Sequence, residues 1–376
     1  MKKILIFLIN YLFPSYLFPI KKNKIIFDSF RGKGFSGNGK YVTFELLKKN
    51  ENLDIVWLDN QSQDKYPDGI RVVKYNSIKS LFELATAKIW VDDFRMKYAP
   101  LKKKKQKYFQ LWHGTVALKK VEKDVEDKLT KEYVDSAKLD GKRSDYMVSG
   151  SKFMTNLYKE SFWFNGQVLE LGTPNVDLFF EDEHKAISYI NELYGLKNEK
   201  IILYAPTFRD SNDKSIYNLP FKKILEHLNE EYKGKWKFVI KLHPNDVEYE
   251  SGLVDNELLL PGAICSDIQQ LILRSDLIIT DYSSLMFDAI LKNKKVLLYT
   301  PDFENYLNKE RGFYWDFSSL PFPKADTIDE LYTNIDEFNE NQYLNKVDKF
   351  NDKIGRFEKG TASKAIADYI VNLTKE

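Results

Sequence analysis

Short, nearly continuous apolar runs alternate along the chain with stretches whose apolar positions recur at helical spacing. Residues 24–29, 53–58, 88–91 and 108–112 read as buried strands, and 41–49 and 77–87 as helices between them. Strands separated by helices predict a parallel, doubly wound sheet. The pattern continues through 145–149 and 166–171. Gly172-Thr173-Pro174-Asn175 and the acidic stretch 181–183 then read as a linker. A second series follows, with strand-like runs at 200–205, 237–241, 277–280 and 295–299 and helical stretches at 221–232 and 268–275. Residues 361–374 place Ala362, Ala365, Ile366, Tyr369 and Ile370 on one helical face, which predicts a closing helix. The expected class is α/β: two Rossmann-like, doubly wound domains facing a cleft. The expected boundaries are an apolar segment at 1–22, domains at 23–175 and 176–345, and a closing helix at 346–376.

Length agrees with two domains, since 376 residues exceed one ordinary domain and suit two of roughly 150–200. The 57 Lys and Arg nearly cancel 55 Asp and Glu, which argues against a dedicated nucleic-acid binder. One cysteine, Cys265, permits neither an internal disulfide nor a cysteine-based zinc site. The histidine candidates are few: His113, His184, His227 and His243.

Residues 4–20 carry no charge and follow Lys2-Lys3. A secretory signal would end at small residues, but Pro14, Ser15, Pro19 and Lys21-Lys22 follow here. Pro14 would break a spanning helix at its middle. Two readings stay open: a buried first strand and helix, or a shallow anchor on a membrane surface. The run at 102–105 reads as a solvated basic face that could touch acidic lipid headgroups.

Gly32-Lys33-Gly34-Phe35-Ser36-Gly37-Asn38-Gly39-Lys40 sits between a strand and a helix and contains both G-x-G-x-x-G and G-x-x-x-x-G-K. The P-loop reading fails at Tyr41, where Ser or Thr should hold Mg²⁺. The dinucleotide reading leaves every later motif unexplained. The loop reads as a glycine-rich turn whose amides face an anion or acceptor, or as a structural turn. Asp92-Asp93 looks like a metal pair, yet nothing in the spacing supports more than strand-end acids.

Trp112-His113-Gly114-Thr115 lies just past an apolar strand, where open α/β sheets place ligands. Imidazole suits proton abstraction near pH 7. Lys241-Leu242-His243-Pro244 and Tyr204-Ala205-Pro206-Thr207-Phe208-Arg209-Asp210 occupy similar strand ends. Thr280-Asp281-Tyr282-Ser283-Ser284 ends a strand where a helix begins, which suits a phosphate or simple capping by Ser. Asp288 lies one turn further, on the face of Ser284.

In this order, Trp112–Thr115 with Leu118-Lys119-Lys120, then 172–177, 204–210, 241–244, 280–288 and 360–363, the chain resembles the CDP-glycerol glycerophosphotransferase family of teichoic-acid primases and polymerases, which also serves capsule polymers. The resemblance implies a GT-B-like pair of domains, an acceptor-side first domain and a nucleotide-donor second one. It implies a CDP-glycerol or CDP-ribitol donor and a lipid-linked acceptor at the cytoplasmic membrane face, with the protein peripheral. Asn175 stands where the family usually has Arg, Val116 where it has Pro, and the loop at 37–40 departs from a usual Asn-Pro pair.

On this reading an acceptor hydroxyl attacks the β-phosphorus and CMP leaves. His113 is the expected base and His243 its catalytic partner on the diphosphate. Thr207, Arg209, Lys241, Thr280, Asp281, Ser283 and Ser284 are expected on the donor phosphates, and Asp288 on ribose. Gly114, Thr115 and Lys119 fall on the acceptor side. No resident metal or cofactor is expected, although Mg²⁺ could arrive with the diphosphate. The competing reading is a GT-B glycosyltransferase using a nucleotide sugar. A silent wall-assembly subunit would be expected to lack His113 or His243.

Overall fold

The computed structural model describes residues 12–49, 51–60, 66–209, 214–309 and 312–376. Lys2, Lys3, most of the apolar 4–20 run and Asp210 lie outside the described residues. The chain forms two compact units. The first comprises the chain up to Thr115, Val121–Asp177 and Gly355–Glu376; the second comprises Val116–Lys120 and Leu178–Ile354.

In the first unit, β1 (Lys21–Asp28), β2 (Asp54–Asp59), β3 (Ile70–Lys74), β4 (Ala87–Asp92), β5 (Lys107–Gln110), β6 (Tyr146–Val148) and β7 (Gln167–Leu169) pair in parallel. Their order is β3-β2-β1-β4-β5-β6-β7. Helices cover both faces, so β4 is buried at every position and Ile25, Ile26 and Phe27 of β1 are fully buried. The second unit holds β8 (Lys200–Tyr204), β9 (Trp236–Ile240), β10 (Leu259–Pro261), β11 (Leu277–Thr280), β12 (Val296–Tyr299) and β13 (Lys324–Ala325). Their order, β10-β9-β8-β11-β12-β13, repeats the same winding. In both sheets the strand order reverses beside the first strand of the unit, between β1 and β4 and between β8 and β11. Doubly wound sheets hold ligands beyond the carboxyl ends of the strands at that point.

Several expectations change. β1 starts at Lys21, which pairs with Ala87 of β4, and Lys24 is buried with its ammonium on Glu83 at 2.5 Å and Thr86 at 2.8 Å. The acidic stretch expected as linker ends at Glu183, which opens a helix, Glu183–Tyr194, capped by Asp182. The segment 346–376 is not one closing helix. Gly355, at φ +60°, separates helix Glu340–Ile354 from helix Ala362–Lys375. The former buries Tyr343, Val347, Phe350 and Ile354 in the second unit. The latter buries Ile366 and Ile370 against the core of the first. The basic run at 102–105 is half structural. Lys102 bonds Asp145 at 2.7 Å, and Lys103 donates to the Ser15 and Phe18 carbonyls, which leaves Lys104 and Lys105 exposed. Among the described residues no helix is long and apolar enough to cross a membrane.

Candidate active site

In the first unit the glycine loop turns sharply after β1. Phe30, Arg31 and Gly32 all take positive φ, at +46°, +64° and +72°. The Gly32 N–H bonds Asp28 Oδ1 at 2.8 Å. Helix Gly37–Leu47 then starts directly over buried Asp93, whose carboxylate accepts from Gly39 N–H at 3.1 Å and Ser29 Oγ at 3.0 Å. A Cβ on Gly37 would lie 2.1 Å from Asp93 Oδ2, so glycine is required there. Two of the amides offered to an anion on sequence grounds thus serve Asp28 and Asp93 instead.

Asn38 is almost fully buried. Its Nδ2 donates to the Trp112 carbonyl at 2.8 Å, and its Oδ1 accepts from Asn175 N–H at 2.9 Å. Trp112 sits at φ +56°, a costly conformation for a bulky residue, and its N–H is held by Gln110 Oε1 at 2.9 Å. This clamped turn delivers His113.

The His113 ring lies among Trp112, Phe94 and Phe30, with centroids 4.3, 5.3 and 5.7 Å away. Its Nδ1 is 3.0 Å from the Asp93 carbonyl. A carbonyl only accepts, so the neutral ring carries its proton on Nδ1 and its lone pair on Nε2. Solvent reaches the residue, yet the packing strips most of the ring's hydration and pushes its pKa down to about 4. At neutral pH His113 is a proton acceptor. Gly114 beside it is half-buried, and Thr115 is buried.

The segments around 172–177 and 360–363 meet one another. Asp177 accepts the Ala362 and Ser363 N–H groups at 3.0 and 2.6 Å, capping the last helix, while Glu358 accepts the Thr173 N–H and hydroxyl.

In the second unit, Thr207 donates its N–H and hydroxyl to Asp281 Oδ1 at 2.8 and 2.7 Å. Arg209 reaches Asp281 at 2.8 Å and Asp302 at 3.0 Å, and Tyr282 Oη donates to Asp302. Arg209, Thr207 and Asp281, expected on the donor phosphates, are thus bonded to one another and to Asp302, which gives them a framework role in this structure. Lys241 has framework partners too: its ammonium bonds the Gly262 and Cys265 carbonyls at 3.0 and 2.8 Å. Thr280 donates to the Ala205 carbonyl, tying β11 to the end of β8. Asp288, expected on ribose, is buried, with Gln269 Nε2 at 3.4 Å.

His243 is exposed, and its Nδ1 accepts the Asn245 N–H at 3.2 Å. An N–H only donates, so the neutral ring carries its proton on Nε2. The two histidines are wired in opposite tautomers. Ser283 is partly exposed and Ser284 exposed; Ser284 occupies the cap position of helix Leu285–Ala289 without a capping bond from its side chain. Lys119, expected on the acceptor side, belongs to the second unit. Its backbone bridges Phe313 and its ammonium lies 5.0 Å over Tyr306, the ring that Arg209 faces at 4.6 Å. Asn38, Asp93 as a framework acceptor, and Asp302 escaped the sequence reading. A polar residue inside the glycine loop was the available signal for Asn38. Among the described residues no group of three or more His, Cys, Asp or Glu side chains is arranged to hold a metal ion.

Residues 10–372 match the family model for CDP-glycerol:poly(glycerophosphate) glycerophosphotransferase. A teichoic acid poly(glycerol phosphate) polymerase of Bacillus spizizenii W23 is 30% identical over 94% of this chain and 93% of its own length. A teichoic acid poly(ribitol-phosphate) polymerase of the same strain is 32% identical over 94% of this chain, which spans only 57% of that longer protein. Among solved structures, a histidine-to-asparagine variant of the wall teichoic acid polymerase TagF with CDPG is 27% identical, with TM-score 0.83, over 95% of this chain and 90% of its own.

Proposed function

The chain belongs to the CDP-glycerol:poly(glycerophosphate) glycerophosphotransferase family, and from that premise we propose that it transfers an alditol phosphate from a CDP-alditol to an acceptor hydroxyl, releasing CMP, in teichoic acid or capsule polymer synthesis. The acceptor oxygen bonds to the β-phosphorus as the bond to the CMP oxygen breaks. The hydroxyl proton goes to Nε2 of His113, the atom left open by the Nδ1 bond to Asp93. Phosphoryl transfer otherwise needs little beyond positioning and charge stabilisation. His243 Nε2–H, with Ser283 and Ser284, is assigned to the diphosphate. The observation that carries this reading is the opposite wiring of the two histidines, one an acceptor and the other a donor.

The acceptor is lipid-linked and the protein sits peripherally at the cytoplasmic membrane face, where that acceptor is held. Any Mg²⁺ enters with the diphosphate. The test is nucleotide release in the presence of lipid acceptor: CMP from CDP-glycerol or CDP-ribitol, against nucleoside diphosphate from a panel of nucleotide sugars. Release from a CDP-alditol supports the reading; turnover of nucleotide sugars alone would favour the glycosyltransferase.

A further inference from the structure

The first unit holds a cation that the transfer chemistry above leaves without a role. Arg71, Arg95, Arg209 and Arg274 each rest on a carboxylate. Among the described residues no carboxylate lies within ion-pair distance of Arg31, and its buried Nε has no hydrogen-bond partner. The guanidinium instead lies over the Phe94 ring, 4.7 Å from its centroid. The same ring packs 5.3 Å from His113.

The loop fixes this arrangement. Phe30, Arg31 and Gly32 hold consecutive positive φ values, and a Cβ on Gly32 would come within 2.6 Å of Tyr75 Cβ. Asp28, the nearest acid along the chain, takes the Gly32 N–H on one oxygen, while its other oxygen accepts no bond. Burial raises the Asp28 pKa to about 7 against the Gly32 N–H bond and the pull of Arg31, so it is only partly ionised near neutrality.

We infer that Arg31 binds the phosphodiester of the acceptor's terminal unit and is the residue that sets the affinity for chains ending in a phosphate. The inference rests on the transfer reading above and adds an acceptor-binding residue to that site. In a glycerol phosphate terminus, three carbons and one oxygen separate the attacking hydroxyl oxygen from phosphorus. Bonds of ~1.5 Å make that span roughly 5–6 Å. With a ~3 Å hydrogen bond at each end, it suits a base and a guanidinium that both pack on one phenylalanine ring, Phe94. The planar fork of arginine suits two oxygens of a phosphodiester.

The experiment compares Arg31→Gln and Arg31→Lys with the wild type on two lipid-linked acceptors, one ending in glycerol phosphate and one lacking that phosphate. Arg31→Gln is expected to raise KM for the phosphate-terminated acceptor about ten- to hundredfold. Its KM for CDP-glycerol and for the phosphate-free acceptor should stay near wild type. Arg31→Lys, which keeps the charge and loses the fork, should show a smaller rise confined to the same acceptor. A readout independent of turnover is the ³¹P line broadening of glycerol 3-phosphate, with CDP present to fill the donor site. Wild type should broaden the line, and Arg31→Gln should not. An unchanged KM for the phosphate-terminated acceptor in both variants overturns the inference, as does an equal rise for both acceptors. If wild type releases no CMP from any CDP-alditol, the transfer reading fails while the ³¹P comparison still decides the role of Arg31.

Discussion

Replacing Asn38 by alanine removes the clamp on the turn that presents His113. Two short bonds are lost, from Nδ2 to the Trp112 carbonyl and from Asn175 N–H to Oδ1, with a longer one from Nδ2 to the Leu111 carbonyl at 3.4 Å. Their partners are partly buried, so the unmade bonds cost about 1–1.5 kcal/mol each, or about 2–3 kcal/mol together. For a unit of this size that is roughly 4–12 °C in melting temperature. Trp112 would then no longer be held at φ +56°, and His113 would shift by a fraction of an ångström or more. Small displacements of a catalytic group cost up to about 10² in rate. Asn38→Asp makes a sharper contrast. It keeps the acceptor for Asn175 but sets a carboxylate against the Trp112 carbonyl, so it should lose activity at least as severely. Thermal melts followed by steady-state CMP release, with CDP affinity measured by calorimetry, separate the effects: kcat should fall while CDP affinity stays unchanged. Wild-type kcat and melting temperature in Asn38→Ala would show that the turn holds itself, and the clamp argument would be wrong.

Replacing both Ser283 and Ser284 by alanine should weaken CDP binding at least about tenfold, from charge-assisted hydrogen bonds of about 1.5–3 kcal/mol each; unchanged affinity by calorimetry would move the diphosphate elsewhere. Arg209→Ala strands Asp281 and Asp302 and should destabilise the second unit by about 3–5 kcal/mol, and Arg209→Lys should rescue little of it. A folded Arg209→Ala variant whose only defect is donor affinity would restore the phosphate role. The full chain should sediment with anionic liposomes at low salt and be released at high salt, with each contacting lysine worth about 1 kcal/mol. Lys104→Glu with Lys105→Glu should weaken that binding, and retention through carbonate extraction would mean deeper insertion.

Much of the architecture was legible because parallel strands buried on both faces are written as apolar runs. The 277–280 run coincides with β11. Helices Lys131–Arg143 and Lys152–Ser161 were not legible, since their buried positions include Gly141, Arg143, Thr155 and Ser161 among the apolar ones. At the site, strand-end position was enough to single out His113 and His243. It could not separate ligand contacts from framework. Arg209 finds Asp302 across 93 residues, and Lys241 finds a carbonyl 24 residues away. No local pattern encodes either partner. The same holds for Lys119, drawn into the second unit by backbone bonds such as Tyr314 N–H to the Leu118 carbonyl.

Acceptor-dependent CMP release from CDP-glycerol by wild type and His113→Ala, measured from pH 4 to 8, tests the central claim most directly. General-base loss should cost the variant roughly 10²–10⁴ in rate, with CDP affinity by calorimetry unchanged. Because the His113 pKa is depressed to about 4, the neutral base persists through the weakly acid range. Wild-type kcat/KM should therefore stay level from pH 8 down to about 5 and fall only as His113 gains its proton near pH 4. Near-normal turnover of His113→Ala at saturating acceptor, or a wild-type acid limb centred near 6.5, would contradict the account.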